Sequence, residues 1–269
     1  MRLSGYQPQY FPRLHYFNRI LSSDIFEISD YIQFVKKHKY QMPDGTFKRG
    51  KSYQAHSPIK MASGLEFLTV SLPDDLLPIN KIKINYREDW PSKHLRTIET
   101  AYSRSKNFAK FYPELKSLLS VKYDDLALLN SATIYWSVIR FLADDKISIK
   151  DLSLEYLNEV LKKQSVFPLK KVVVTSKTPV PPPEKGEANK WIVSLCKYLN
   201  ADEYFYGGTS LNAYMDNSMF IQNNIKTVLQ DWHCREYQQQ FSKVGFIANL
   251  SALDLILNEP LKLRQEIIK

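Results

Sequence analysis

Leu3-Ser4-Gly5-Tyr6-Gln7-Pro8-Gln9-Tyr10-Phe11-Pro12 is the stretch whose reading decides the fold. Leu3 to Tyr6 has the length and character of a short buried strand, and two prolines bracket the polar-aromatic loop that follows it. Arg13 to Leu21 continues as a helix, with Leu14, Phe17, Ile20 and Leu21 at helical spacing. Ser23-Asp24 ends that helix, and Ile25-Phe26-Glu27-Ile28 is a second strand closing on Ser29-Asp30. Two apolar strands around one amphipathic helix predict parallel neighbours joined by a right-handed crossover. Open α/β sheets collect ligands outside the carboxyl ends of their strands. Gln7 to Pro12 lies at one such end and Asp30 at the next. Helix amides just after Pro12 are expected to face a bound ligand there and to favour an anion.

Outward from this unit the pattern changes. Glu66 to Leu72 alternates, with Leu68, Val70 and Leu72 on one side, and Lys81 to Ile84 does the same, so both read as half-buried strands. Asp89-Trp90-Pro91 opens a helix reaching about Ser105. From Asn107 to Lys171 the pattern is mostly helical. Leu126, Leu129, Ile134, Val138, Ile139 and Leu142 mark one long helix, and Leu152, Tyr156, Leu157, Val160 and Leu161 another. Val172-Val173-Val174 is a short buried strand. Residues 176–187 hold Pro179, Pro181, Pro182 and Pro183, which favour extended, internally unbonded backbone and read as a loop or lid. A helix follows from Asn189 to Leu199, and a last one begins near Leu250. The expected fold class is α/β: a mainly parallel sheet with flanking helices in a Rossmann-like first part, then a mostly helical second part. One domain spanning 1–269 is expected, with 1–106 and 107–269 as its subdivision.

The chain has 269 residues, 44% of them apolar, which is ample for a core. No run of eighteen apolar residues marks a membrane helix. The N-terminus shows no basic head followed by an apolar core, so a cytoplasmic protein is expected. Cys196 and Cys234 have no metal-type spacing and fit a reducing compartment. The formal charge of +9 suits a polyanionic partner or simply a basic, soluble surface. Much of it is concentrated in Lys36, Lys37, Lys39, Lys48, Arg49 and Lys51, which flank the turn Pro43-Asp44-Gly45 and alternate with Tyr40, Phe47 and Tyr53. Basic residues interleaved with aromatics can hold phosphates and stack bases; a solvated hairpin has the same composition.

The familiar catalytic signatures are absent: no Walker loop, no dinucleotide fingerprint, no nucleophile elbow and no histidine pair at metal-ligand spacing. No metal or cofactor is therefore expected. Gly207-Gly208 permits either a close backbone approach or a tight turn. Ser251, Asp254 and Asn258 fall on one face of an otherwise apolar last helix. A carboxylate buried there needs an internal partner or a chemical role.

Gln7-Pro8-x-Tyr10-Phe11-Pro12, Phe17, Ser23-Asp24, Asp30 and Gln33-Phe34 together resemble the opening of the WbqC-like proteins. The likeness continues in order through Gln54 to Leu72, Trp90 with Lys93-His94, Tyr102, Phe108, Cys196, Tyr204, Gly207 and Tyr214. It ends on Tyr237-x-Gln239, Phe241, Phe246 and Leu250-Ser251-x-x-Asp254-Leu255-x-x-Asn258. The chain departs from the family in the basic insertion 37–53, in His56 where an arginine is usual, in Tyr206 before Gly207, and in Glu259-Pro260 at the end.

The resemblance implies a transferase of bacterial surface-polysaccharide (O-antigen) biosynthesis, acting on a nucleotide-activated or pyrophosphate-bearing acceptor in an acyl- or aminoacyl-type transfer. Two alternatives stand beside it: amino acid transfer to modified bases in phage DNA, reached through the basic insertion, and a non-catalytic binding module for anions or nucleic acid. For the transferase, Gln7, Tyr10, Asp30, His56, His94, Tyr214 and Asp254 are expected to line one pocket, with Lys93 and Ser251 contributing to substrate binding. Asp30 or Asp254 is the expected general base and His94 or His56 the anion contact. The expected partner is a phosphorylated or nucleotide-linked small molecule, with DNA as the other candidate.

Overall fold

A computed structural model describes residues 1–41, 47–208, 210 and 214–269, the side chains of 38–41 and 47–49 excepted. The first unit forms as expected. β1 (Arg2–Tyr6) pairs in parallel with β2 (Ile25–Ile28), Leu3 facing Ile25 and Tyr6 facing Ile28, and α1 (Leu14–Leu21) connects them. The chain then leaves the sheet. β3 (Lys37–Gln41) and β4 (Phe47–Lys51) form one antiparallel hairpin, and β5 (His56–Met61) and β6 (Gly64–Thr69) another.

Four helices follow: α2 (Trp90–Tyr102), α3 (Phe108–Ser120), α4 (Leu126–Leu142) and α5 (Leu154–Lys163). The carboxylates of Asp89 and Asp125 and the Ser153 hydroxyl each accept an amide from the first turn of α2, α4 and α5 respectively. The chain returns to the sheet as β7 (Lys171–Val174), α6 (Ala188–Tyr198), β8 (Glu203–Tyr206), α7 (Asn217–Gln222) and β9 (Lys226–Leu229), and closes with α8 (Ala252–Asn258) and α9 (Leu261–Ile268).

The sheet has the order β7-β2-β1-β8-β9, and all four pairings are parallel. In chain order this is 3-2-1-4-5, the doubly wound arrangement whose direction reverses beside the first strand. Alternation along the strands serves two cores. Phe26, Ile28, Val172 and Val174 join the large core made with α1 to α5, α8, α9 and the β5–β6 hairpin. Leu3, Ile25, Val173, Tyr204 and Tyr206 join a smaller core with α6 and Phe220 of α7. Among the described residues, no helix is long and apolar enough to cross a membrane.

Two expectations fail locally. Lys81 to Ile84 is no strand: a 3₁₀ turn, Ile79–Lys81, leads into it, and Ile82 is buried while Lys81 and Lys83 stay exposed. The alternation there is that of one anchoring side chain, with a single bridge from Lys83 to Asp125 in place of a partner strand. The last helix is two helices, broken where Pro260 cannot continue α8.

The loop 7–12 runs through the interior and not over the surface. Phe11 sits in the left-handed region at φ 37, and its amide donates to Thr133 Oγ1 at 3.1 Å. Asn130 Nδ2, on α4 and fully buried, donates to the carbonyls of Pro8 at 3.0 Å and Gln54 at 2.8 Å. Removing that donor leaves two interior carbonyls without it, which costs about 1–3 kcal/mol for an unsatisfied group. Asn130→Ala is expected to lower the urea midpoint by an amount in that range, with an unchanged m-value.

Candidate functional site

A cavity of about 340 Å³ opens at the carboxyl ends of β1, β2 and β8, where the strand order reverses. Gly5, Tyr6 and Gln7 from the end of β1, Glu27 and Ser29 from β2, and Arg19 from α1 form one side. Trp191 and Ile192 of α6, Tyr204 of β8, and Ser210 and Tyr214 beyond β8 close the other. This is the place where the sheet topology predicts a ligand.

Glu27 dominates the floor. It stands in register with Gly5 of β1, is only 2% exposed, and has no cation within ion-pair distance among the described residues. Its carboxyl accepts from the Ser29 hydroxyl at 2.8 and 3.0 Å. Burial raises it to about 8, the neighbouring Asp30 carboxylate adds to the effect, and the Ser29 bond opposes it. Tyr6 at the end of β1, Tyr16 and Arg19 on α1, Cys196 on α6, and Tyr204 and Tyr214 are the other titratable or charged groups around it among the described residues. Gly5 is glycine for a direct reason: a Cβ there would stand 1.8 Å from Glu27 Oε1.

Arg19 is 5% exposed. Its Nε and Nη2 donate to Gln230 Oε1, just past β9, at 3.0 and 2.7 Å, and its guanidinium lies 4.7 Å over the Tyr6 ring. Neither Glu27 nor Arg19 stood out in the sequence. The signal for Glu27 was a carboxylate inside Ile25-Phe26-Glu27-Ile28, a strand buried on both faces. Arg19 is a basic residue in the last turn of a helix, where one is ordinary, and the burial of nearly every residue of α1 sets it apart.

The residues expected in one pocket divide among three places. Gln7 and Tyr214 line the crevice; Gln7 Oε1 accepts from Gln54 Nε2, and the Tyr214 hydroxyl donates to Ser210 at 3.2 Å. Asp30 faces the opposite way, into a second cavity of about 630 Å³ that Lys81, Tyr135 and Ser176 also line. Its carboxylate is held by the Thr175 hydroxyl and the Ser176 amide, both at 2.9 Å, and by Asn80 at 3.4 Å, tying the ends of β2 and β7 together.

Tyr10, His94 and Asp254 lie in the interior and line neither cavity. His94 Nε2 donates to the Thr69 carbonyl at 3.0 Å, so Nδ1 accepts from the Tyr10 hydroxyl at 2.9 Å. Both ring nitrogens are thereby engaged, and burial lowers the imidazole to about 4, against the Thr69 bond. Asp254 accepts from the Tyr102 hydroxyl at 3.0 Å, and burial raises it to about 6. Ser251 is buried at the start of α8, its hydroxyl without a hydrogen-bond partner among the described residues. His56, half-buried on β5, meets the Ser52 carbonyl at 2.8 Å, and Lys93 is exposed beside Glu88.

The helix amides after Pro12 do not serve a ligand. Those of Leu14 and His15 donate to the Leu250 carbonyl and to Asn249 Oδ1, because the start of α8 packs against them.

Of the basic insertion, Lys36 pairs with Asp74, Lys37 is exposed, and Lys51 lies 4.8 Å over the Phe67 ring. The side chains of Lys39, Lys48 and Arg49 and the turn at 43–46 lie outside the described residues. The hairpin is rooted at the crevice: Val35 lines it, and the Val35 amide donates to Gln54 Oε1 at 2.7 Å, while Gln54 bonds Gln7.

The fold and this site define an α/β protein with a 3-2-1-4-5 parallel sheet and a crevice at its switch point. The model of the WbqC-like protein family matches residues 7–266, nearly the whole chain, and the chain belongs to that family. No curated protein and no solved structure matches it.

Glu27 also leaves a signature in stability. Its ordinary value is 4.5 and its folded value about 8, so between these the folded state holds a proton that the unfolded state has lost. Stability falls as pH rises through that window, by up to about 1.4 kcal/mol per pH unit, and levels off above it. Denaturant unfolding of wild type and Glu27→Gln at pH 5.5 and 8.5 is expected to show the variant gaining on wild type at the higher pH.

Proposed function

We propose that this protein is a transferase that works in the switch-point crevice, with Glu27 as the acid–base group. The observation that carries the reading is a buried carboxyl, paired with no cation among the described residues, lining a cavity at the strand ends and held near the pH at which an acid–base group works best. The reaction is an acyl- or aminoacyl-type transfer. An amine or hydroxyl of the acceptor attacks the donor carbonyl, and its proton passes to ionised Glu27. The new N–C or O–C bond forms as the bond to the leaving group breaks, and Glu27 returns the proton to that group. Family membership supports an acceptor that is nucleotide-activated or carries a pyrophosphate, as in surface-polysaccharide biosynthesis.

The test is a mass-spectrometric screen of nucleotide amino-sugars with acyl-coenzyme A and aminoacyl-adenylate donors, preceded by thermal shift with UDP-N-acetylglucosamine and dTDP-glucose. Rate is expected to rise with pH up to about 8 as Glu27 ionises. Glu27→Gln is expected to lose roughly 10²–10⁴-fold in rate. Full activity in that variant removes Glu27 from the chemistry.

A second reading, that the acceptor is part of a nucleic acid, is favoured by the hairpin at the crevice. Its register sets Lys37 opposite Lys51 and Lys39 opposite Arg49. So dense a run of basic residues on one hairpin attracts a polyanion through its phosphates. DNA binding measured against salt is expected to fall steeply, with a slope of about −0.9 per phosphate contacted. Replacing Lys48, Arg49 and Lys51 with glutamine should flatten it. Equal binding by the triple variant at low salt rejects this reading.

A further inference from the structure

We propose that the guanidinium of Arg19 is a built subsite for a phosphate or diphosphate oxyanion at the floor of the crevice, positioned there by Gln230 and Gly207. The inference rests on the transferase reading for the identity of the anion, and on geometry for the subsite itself.

Three arginines are buried among the described residues: Arg19, Arg140 and Arg264. Arg140 lies 3.8 Å from Glu114, and Arg264 pairs with Asp144. Arg19 alone of the three has no carboxylate within ion-pair distance among the described residues. A buried charge without a counter-charge is costly. The acid nearest to hand in the crevice does not compensate it, because burial keeps Glu27 protonated at neutral pH.

The group is nonetheless held firmly. Gln230 Oε1 accepts from Nε and Nη2, and the Gln230 amide is oriented in turn by donating to the His15 carbonyl at 2.9 Å and to Asn18 Oδ1. The Tyr6 ring covers one face. This leaves Nη1 without a hydrogen-bond partner among the described residues, on a side chain that lines the cavity. A fixed, desolvated guanidinium with an unused N–H edge is matched by an oxyanion. The diphosphate of an activated substrate is the one that the transfer reaction brings.

Gly207 makes the same point from the other side. A Cβ there would stand 1.9 Å from Arg19 Nη2. The displaced atom is the end of a flexible side chain, so the substitution moves the guanidinium and leaves the strand intact.

Isothermal titration of the full chain with inorganic pyrophosphate and with UDP, at fixed ionic strength, tests the subsite. Wild type is expected to bind both, and the ratio of the two affinities separates free from nucleotide-borne diphosphate. Arg19→Gln is expected to lose at least tenfold in affinity for each. Gly207→Ala should do the same with its melting temperature unchanged. Gln230→Glu should lose binding while the guanidinium stays in place, since it supplies from within the anion that the ligand would bring; this also covers the case in which Arg19→Gln fails to fold. Glu27→Gln is expected to bind like wild type, so its loss of turnover and a loss of binding at Arg19 remain separate results. Failure of wild type to bind either probe, or retention of wild-type affinity by Arg19→Gln or Gln230→Glu, overturns the subsite.

Discussion

The structure depends on β1 having a parallel partner on each side. Its register with β2 places Gly5 against Glu27, and its pairing with β8 brings the chain around Tyr204 to within reach of the same point. The reversal of strand order beside β1 means that no crossover connection fills the space above its carboxyl end. A cavity there is a consequence of topology before any side chain is specified. The side chains then decide its chemistry. At two of the nearby positions a glycine leaves room for these side chains, because Glu27 and Arg19 occupy the volumes that a Cβ at Gly5 and at Gly207 would take.

That arrangement opposes stability. The middle of β2 would be most stable as an apolar run, and Glu27 interrupts it with a carboxyl that, among the described residues, only Ser29 bonds. Arg19 is buried with a glutamine where Arg140 and Arg264 have acids. Both departures fall in one cavity; in the large core some buried polar groups are partnered, Trp136 Nε1 with Glu114 at 2.8 Å, Tyr10 with His94 and Tyr102 with Asp254, while Ser251 Oγ and Asp254 Oδ1 have no hydrogen-bond partner among the described residues.

Legibility followed the range of the interactions. The β1-α1-β2 unit was readable because thirty consecutive residues contain all of it. That a buried Asp254 needs either an internal partner or a chemical role was legible for the same kind of reason, since an apolar helix face is a local fact; Tyr102 is a partner, and the pocket it was expected to line lies elsewhere. What failed was non-local. Lys81 to Ile84 has a strand's alternation and no strand to pair with. The β9 edge strand, Lys226–Leu229, is too short and too exposed to announce itself, and its pairing with β8 is visible only in the folded chain. The amides after Pro12 were expected to meet an anion; Asn249, far along the chain, reaches them first. Asp30 lies at a strand end as read, but the next residue along a strand faces the other way, so Ser29 lines the crevice and Asp30 the cavity behind it.

The residues that carry the family resemblance thus perform two kinds of work. Gln7 and Tyr214 line the crevice. Tyr10, His94, Tyr102 and Asp254 line neither of the two cavities at the strand ends and form buried ties instead. His94 joins α2 to the loop 7–12 through Tyr10 and to the β5–β6 hairpin through Thr69. Asp254 joins α8 to α2 through Tyr102. The loop held by these ties begins at Gln7 on the rim of the crevice and passes through Phe11 in a left-handed conformation that a bulky side chain adopts only when its surroundings impose it. An aromatic and polar motif of this kind is therefore not evidence that each of its members touches substrate. Several of its members are recognisable as the ties that hold the strained loop beside the crevice and the helices packed on it.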